Sequence, residues 1–82
     1  MEYNATVIKS THNEGGLSGL YVRFEEKNVM KEGFILCKNL KLKEKTKKKF
    51  ISGAVPTHLS PGATIKAKII RSDGEYNDLV QC

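Results

Sequence analysis

Ala63-Thr64-Ile65-Lys66-Ala67-Lys68-Ile69-Ile70-Arg71 is the stretch that decides the fold. Ile65, Ala67 and Ile69 fall on one side, and Lys66 and Lys68 on the other. That period of two belongs to a half-buried strand, not to a helix. Asp73-Gly74 follows as a hairpin signal, and residues 76–80 (Tyr-Asn-Asp-Leu-Val) read as a short returning strand. Upstream, residues 52–62 hold Gly53, Pro56 and Pro61, which predicts an irregular connection.

The same period recurs earlier in the chain. Residues 3–9 read as a first strand. Residues 19–25 read as a second, with Leu20, Val22 and Phe24 on one face and Tyr21 and Arg23 on the other. Asn13-Glu14-Gly15-Gly16 is expected to turn between them, since glycine tolerates positive φ. Residues 26–31 read as a polar loop, and residues 33–39 as the third strand. Residues 40–50 are lysine-rich and open to two readings. Their lysines fall mostly on odd positions, as on a strand face, yet Lys, Leu and Glu also favour a short helix. No internal repeat is present. Five short strands, with a longer excursion between the third and fourth, predict one all-β domain over residues 1–82. A small closed barrel suits so short a chain because closure leaves no exposed edge. The layout is that of an OB-fold.

Charge is segregated. Lys38, Lys41, Lys43, Lys45, Lys47, Lys48 and Lys49 share their stretch with one acid, Glu44, which makes it +6 within a chain of net charge +5. Such a block attracts polyanions over a Debye length of about 8 Å in physiological salt. Each phosphate it neutralises would release a counterion. Lysines on phosphates read no sequence, so specificity is expected to be low. A solvated loop is the plain alternative.

Other function classes find little support in the residues. Cys37 lies in an apolar run, Cys82 is the last residue, and no CxxC occurs. A reducing, cytoplasmic setting with a core thiol and a terminal thiol is the expectation. The first ten residues lack a basic and apolar leader pattern, and no apolar run approaches membrane-spanning length, so no membrane association is expected. His12 and His58 stand in polar loops without spaced ligand partners, so neither metal nor cofactor is expected. Glu25-Glu26 and Asp73, Glu75 and Asp78 lie in or beside turns and make no convincing catalytic pair. Gly15-Gly16-Leu17-Ser18-Gly19 lacks the lysine and helix of a phosphate-binding loop. The chain reads as a binding module rather than an enzyme.

Three stretches carry a family resemblance. Gly19-Leu20-Tyr21-Val22-Arg23-Phe24, Glu32-Gly33-Phe34-Ile35-Leu36-Cys37-Lys38-Asn39-Leu40, and residues 59–73 from Leu59-Ser60-Pro61-Gly62 to Asp73 occur in order. Together they resemble the second, third and fourth strands of S1-type RNA-binding domains. The resemblance implies an OB-fold that binds RNA or single-stranded nucleic acid, with Tyr21 as a stacking residue and Arg23 as a phosphate contact. The aromatic that commonly precedes the strand-two glycine is Ser18 here, and the histidine common in strand three is Leu36. Fewer stacking partners imply a more electrostatic grip. The candidate interface is therefore Tyr21, Arg23, Phe34, Lys38, Lys41, Lys43, Lys45, Lys47, Lys48, Lys49, Lys66 and Lys68. A weaker resemblance is to the S1 domain of the translation initiation factor 2 alpha subunit and its viral mimics. It rests on Gly74-Glu75-Tyr76-Asn77-Asp78-Leu79, with Glu75 inserted and Asn77 where isoleucine is usual. It implies a protein-interaction module that docks on a translation, transcription or kinase component. An SH3-like barrel is a third architecture compatible with the charge pattern.

Overall fold

The inward rows of alternating residues meet around one core. In a computed structural model, which describes residues 1–13 and 18–82, the strands are β1 (Tyr3–Thr11), β2 (Gly19–Glu26), β3 (Val29–Leu36), β4 (Thr64–Asp73) and β5 (Tyr76–Gln81). One helix, α1 (Glu44–Ile51), lies between β3 and β4. The strands close into a barrel in the order β1-β2-β3-β5-β4. Every described pairing is antiparallel except β3 with β5, which is parallel. This is the expected all-β, five-stranded, OB-like barrel.

Ala5, Val7, Leu20, Val22, Phe24, Ile35, Ile65, Ala67 and Leu79 point inward and are buried. Leu40, Phe50 and Leu59, from the segments outside the strands, join the same core. Each large apolar side chain buried this way contributes about 1.5–3 kcal/mol.

Several boundaries differ from the sequence reading, each for a local reason. Residues 26–31 are not a loop. β2 and β3 pair as far as Glu26 with Val29, and Lys27-Asn28 turns in two residues at φ 52° and 64°. Asparagine is among the residues that tolerate this left-handed conformation, which matches the strand twist. The third strand starts at Val29 and stops at Leu36, where the chain bends into a 3₁₀ turn, Cys37–Asn39. There the Cys37 amide donates to the Ser18 carbonyl and the Leu40 amide to the Cys37 carbonyl. The lysine-rich segment resolves as a helix only over Glu44–Ile51, held to the barrel by Phe50, its one buried residue. The connection over 52–62 contains a 3₁₀ turn, Thr57–Leu59, that buries Leu59. The hairpin expected at Asp73-Gly74 turns one residue later, through Gly74 at φ 62° and Glu75. Beyond Asn13, the turn expected at residues 13–16 lies outside the described residues, as does most of the glycine-rich run 15–19.

Two bulges reset the alternation. On β1, Val7 pairs with Val22, but Lys9 pairs with Tyr21, so Ile8 is extra. On β4, Ile69 pairs with Leu79, but Arg71 pairs with Asp78, so Ile70 is extra. Were Ile8 and Ile70 paired as ordinary strand residues, Lys9 and Arg71 would continue the inward rows of Ala5-Val7 and Ala67-Ile69. With the bulges, both cations stand on the outer wall.

Asn77 strengthens the parallel seam. It is 7% exposed, donates to the Glu32 carbonyl at 3.0 Å and accepts from the Ser72 hydroxyl at 2.9 Å. The buried amide therefore ties β5 to β3.

Candidate functional site

Register places one outward residue from every strand in a continuous row. Lys9 pairs with Tyr21, Tyr21 with Phe34, Phe34 with Asp78, and Asp78 with Arg71. The row runs cation, ring, ring, carboxylate, cation around the barrel. At its centre the Tyr21 and Phe34 rings pack with centroids 4.8 Å apart and planes tilted by 57°. The Lys9 ammonium lies 5.0 Å from the Tyr21 centroid, within cation–π range.

Gly19 makes room for this pair. A β-carbon there would come within 2.7 Å of Phe34 Cζ and closer still to the Ile35 carbonyl. The Phe34 ring can lie back across β2 only because that position has no side chain.

Beside the rings is a cleft of about 160 Å³, lined by Tyr21, Glu32, Gly33, Phe34, Glu75, Tyr76, Asn77 and Asp78. Tyr76 is 82% exposed at its edge. Among the described residues, no hydrogen bond or ion pair engages the carboxylates of Glu32, Glu75 or Asp78. The one ion pair described is Lys31 with Glu26 at 2.6 Å, at the far end of the β2–β3 hairpin. Glu26 also accepts from the Tyr3 hydroxyl at 2.6 Å. Hydrogen bonds from Lys31 and then Tyr3 hold the Glu26 carboxyl below its ordinary pKa, and the same contact raises that of Tyr3.

Two residues beyond Phe34 on the same outer row, Leu36 opens a second hollow, about 6.6 Å further along the strand. This groove of about 440 Å³ lies between the end of β3 and α1, and Leu36, Cys37 and Ile51 form its apolar floor. Lys38, Lys47 and Lys48 stand over it, with Glu44. The helix accounts for this choice of lysines, since positions 44, 47, 48 and 51 share one face at 3.6 residues per turn. Burial pushes the Cys37 thiol pKa up, an effect that Lys47 opposes.

The expected interface residues are thus divided. Tyr21 and Phe34 come together, and the platform has two rings rather than Tyr21 alone. Arg23 is exposed one step along β2, paired with Glu32 across the sheet. Lys38, Lys47 and Lys48 border the adjoining groove. Lys45 and Lys49 are exposed elsewhere on α1, and Lys41 and Lys43 precede it. Lys66 and Lys68 are exposed on β4, the strand opposite β2 and β3 in the closed order. The structure does not bring those two to the rings.

Lys9, Tyr76 and the three carboxylates were not in the expected set. The signal for Lys9 is a lysine at a position that strict alternation assigns to the core, which marks a bulge. Tyr76 and Asp78 become neighbours of Phe34 only through the parallel β3–β5 pairing, which no local pattern encodes.

Among the described residues, no group of three or more His, Cys, Asp or Glu is placed to hold a metal ion, and no helix is long and apolar enough to cross a membrane. The sequence matches no protein-family model, and no curated protein matches it.

Proposed function

We propose that this barrel is a non-catalytic, S1-like module that binds RNA or another single-stranded nucleic acid in the cytoplasm. The observation that carries this reading is the outward-facing Tyr21–Phe34 ring pair, Tyr21 exposed and Phe34 half-buried, flanked by Lys9 and followed along β3 by the groove under Lys38, Lys47 and Lys48. Single strands are gripped by aromatic faces for the bases and cations for the backbone. Two adjoining rings accept a base without regard to its identity, and the lysines act through phosphate charge.

The test is fluorescence anisotropy with labelled single-stranded RNA at low salt, comparing the unaltered protein with Tyr21→Ala and Phe34→Ala. Stacking is worth about 1–3 kcal/mol per base, so either substitution should weaken binding by roughly five- to 150-fold. No binding at low salt, or unchanged affinity in both variants, sinks the reading.

A second reading, docking on a translation, transcription or kinase component, has the unpaired carboxylates of Glu32, Glu75 and Asp78 in its favour. They would suit a basic side chain of a protein partner. It requires a complex that survives nuclease treatment and is lost with Glu32→Gln or Asp78→Asn.

A further inference from the structure

The cleft beside the rings has an unusual composition for a polyanion binder. Its lining includes two packed rings, Tyr76 at the rim, and the carboxylates of Glu32, Glu75 and Asp78, with no lysine or arginine. The Asn77 amide already serves the Glu32 carbonyl and the Ser72 hydroxyl. What remains is an aromatic floor with walls that accept hydrogen bonds. The lining itself offers a phosphate no cation, since Arg71 and Arg23 lie on the neighbouring strands opposite Asp78 and Glu32. A flat group that carries N–H donors is favoured.

Resting on the nucleic-acid reading above, we propose that the cleft selects guanine. The base stacks on Tyr21 and Phe34 and presents its N1–H and N2–H donors to the Asp78 carboxylate, with Glu32 at the neighbouring edge. Guanine is the one standard base with two adjacent N–H donors on its pairing edge. An ionised carboxylate is acceptor-only, and its two oxygens match that edge. Adenine and cytosine each set a ring-nitrogen acceptor beside the amino group. Uracil flanks its single N–H with two carbonyls. Each of these would push a lone pair toward the carboxylate.

Placement supports Asp78 as the principal acceptor. It is the register partner of Phe34, one strand away at about 4.8 Å, and it is half-buried. Glu32 lies two residues before Phe34 on the same outer row. The lysine groove begins two residues beyond Phe34 on the other side. The row thereby orients the ligand, with the pairing edge toward the acids and the sugar-phosphate chain toward Lys38 and Lys47. The lysine block would supply affinity, and the carboxylates would add a base preference that phosphate contacts cannot.

The experiment uses uridine octamers with one central position changed to guanosine, adenosine, cytidine or inosine, read by anisotropy at fixed salt. A bidentate contact to a base edge implies that the guanosine octamer binds about tenfold more tightly than the others. Inosine keeps N1–H but lacks the N2 amino group, and should lose most of the preference. 7-Deazaguanosine alters only the opposite edge, and should keep it. Asp78→Asn should abolish the preference, because the amide replaces one acceptor oxygen with a donor. The ligand-side changes retain their force even if that variant folds poorly.

Equal binding of all octamers overturns guanine selection and leaves the nucleic-acid reading standing. A preference that inosine retains overturns the pairing-edge contact. Failure of every octamer to bind at low salt removes the nucleic-acid reading itself. Displacement of the octamers by a short arginine-bearing peptide, without any guanosine preference, assigns the cleft to a cationic protein side chain and also overturns the proposal.

Discussion

The division of the lysines between two walls can be read through salt dependence. Lys38, Lys47 and Lys48 border the groove that continues from the rings, whereas Lys66 and Lys68 project from the opposite strand. For a single strand, log affinity falls against log salt with a slope near −0.7 per phosphate neutralised. Replacing the three groove lysines with glutamine should make the slope shallower by about 2 units. Between 50 and 200 mM salt, the unaltered protein should then lose about 16-fold more affinity than the triple variant. The Lys66→Gln, Lys68→Gln pair should leave the slope within error of the original. Glutamine keeps the helix propensity of lysine, and Phe50 still anchors α1, so the fold is not at stake. The measurement is an anisotropy titration of a uridine octamer at four or more salt concentrations. Equal slope changes in the two variants would show that the charges act as a diffuse cloud. No change in the triple variant would show that the groove lies off the ligand's path.

Three further outcomes follow from the packing. Phe50→Ala removes the one buried contact of α1 and should cost about 3–5 kcal/mol in urea unfolding, a large share of the roughly 4–12 kcal/mol expected of a chain this size. A loss below about 1 kcal/mol would mean the helix is not docked as described. Gly19→Ala forces a methyl group against Phe34 and the Ile35 carbonyl. It should lower stability by about 1–3 kcal/mol and weaken oligonucleotide binding, and unaltered binding would detach the ring pair from function. Glu26 has its carboxyl pKa lowered, so the stability it adds is present at neutral pH and lost as pH falls through the folded value. Tyr3 has its pKa raised, so its share is lost only as pH rises into the tyrosine range. Glu26→Gln should flatten the acid side of a melting-temperature profile, and an unchanged profile would dismiss the contact.

The inward rows of β2 and β4 were legible because burial on one side imposes a period of two, and each strand keeps it over at least five residues. The barrel followed from the number of strands and the long third connection. Other features were hidden for physical reasons. The lysine-rich segment was open to strand or short helix, because its lysines fit both patterns, and the one buried aromatic, Phe50, decides for the helix. Lys27-Asn28 carries no glycine, so a tight hairpin looked like a loop. The candidate site was half legible. Tyr21 and Arg23 follow from alternation within β2. The meeting of Phe34 with Asp78 depends on a parallel pairing of strands 40 or more residues apart in the chain.

The two bulges carry a consequence for how this chain tolerates change. Ile8 and Ile70 act as phase marks: each strand is written in one parity before the mark and in the opposite parity after it. Losing either residue would close its bulge and leave Lys9 or Arg71 outside, still opposite Tyr21 or Asp78. Keeping the residue but pairing it as an ordinary one would instead exchange inside and outside for everything beyond, sending the cation toward the core. Point substitutions and single-residue deletions at these two isoleucines should therefore both be tolerated. Each of the two strands thus holds one residue of slack in its length, placed at its mark.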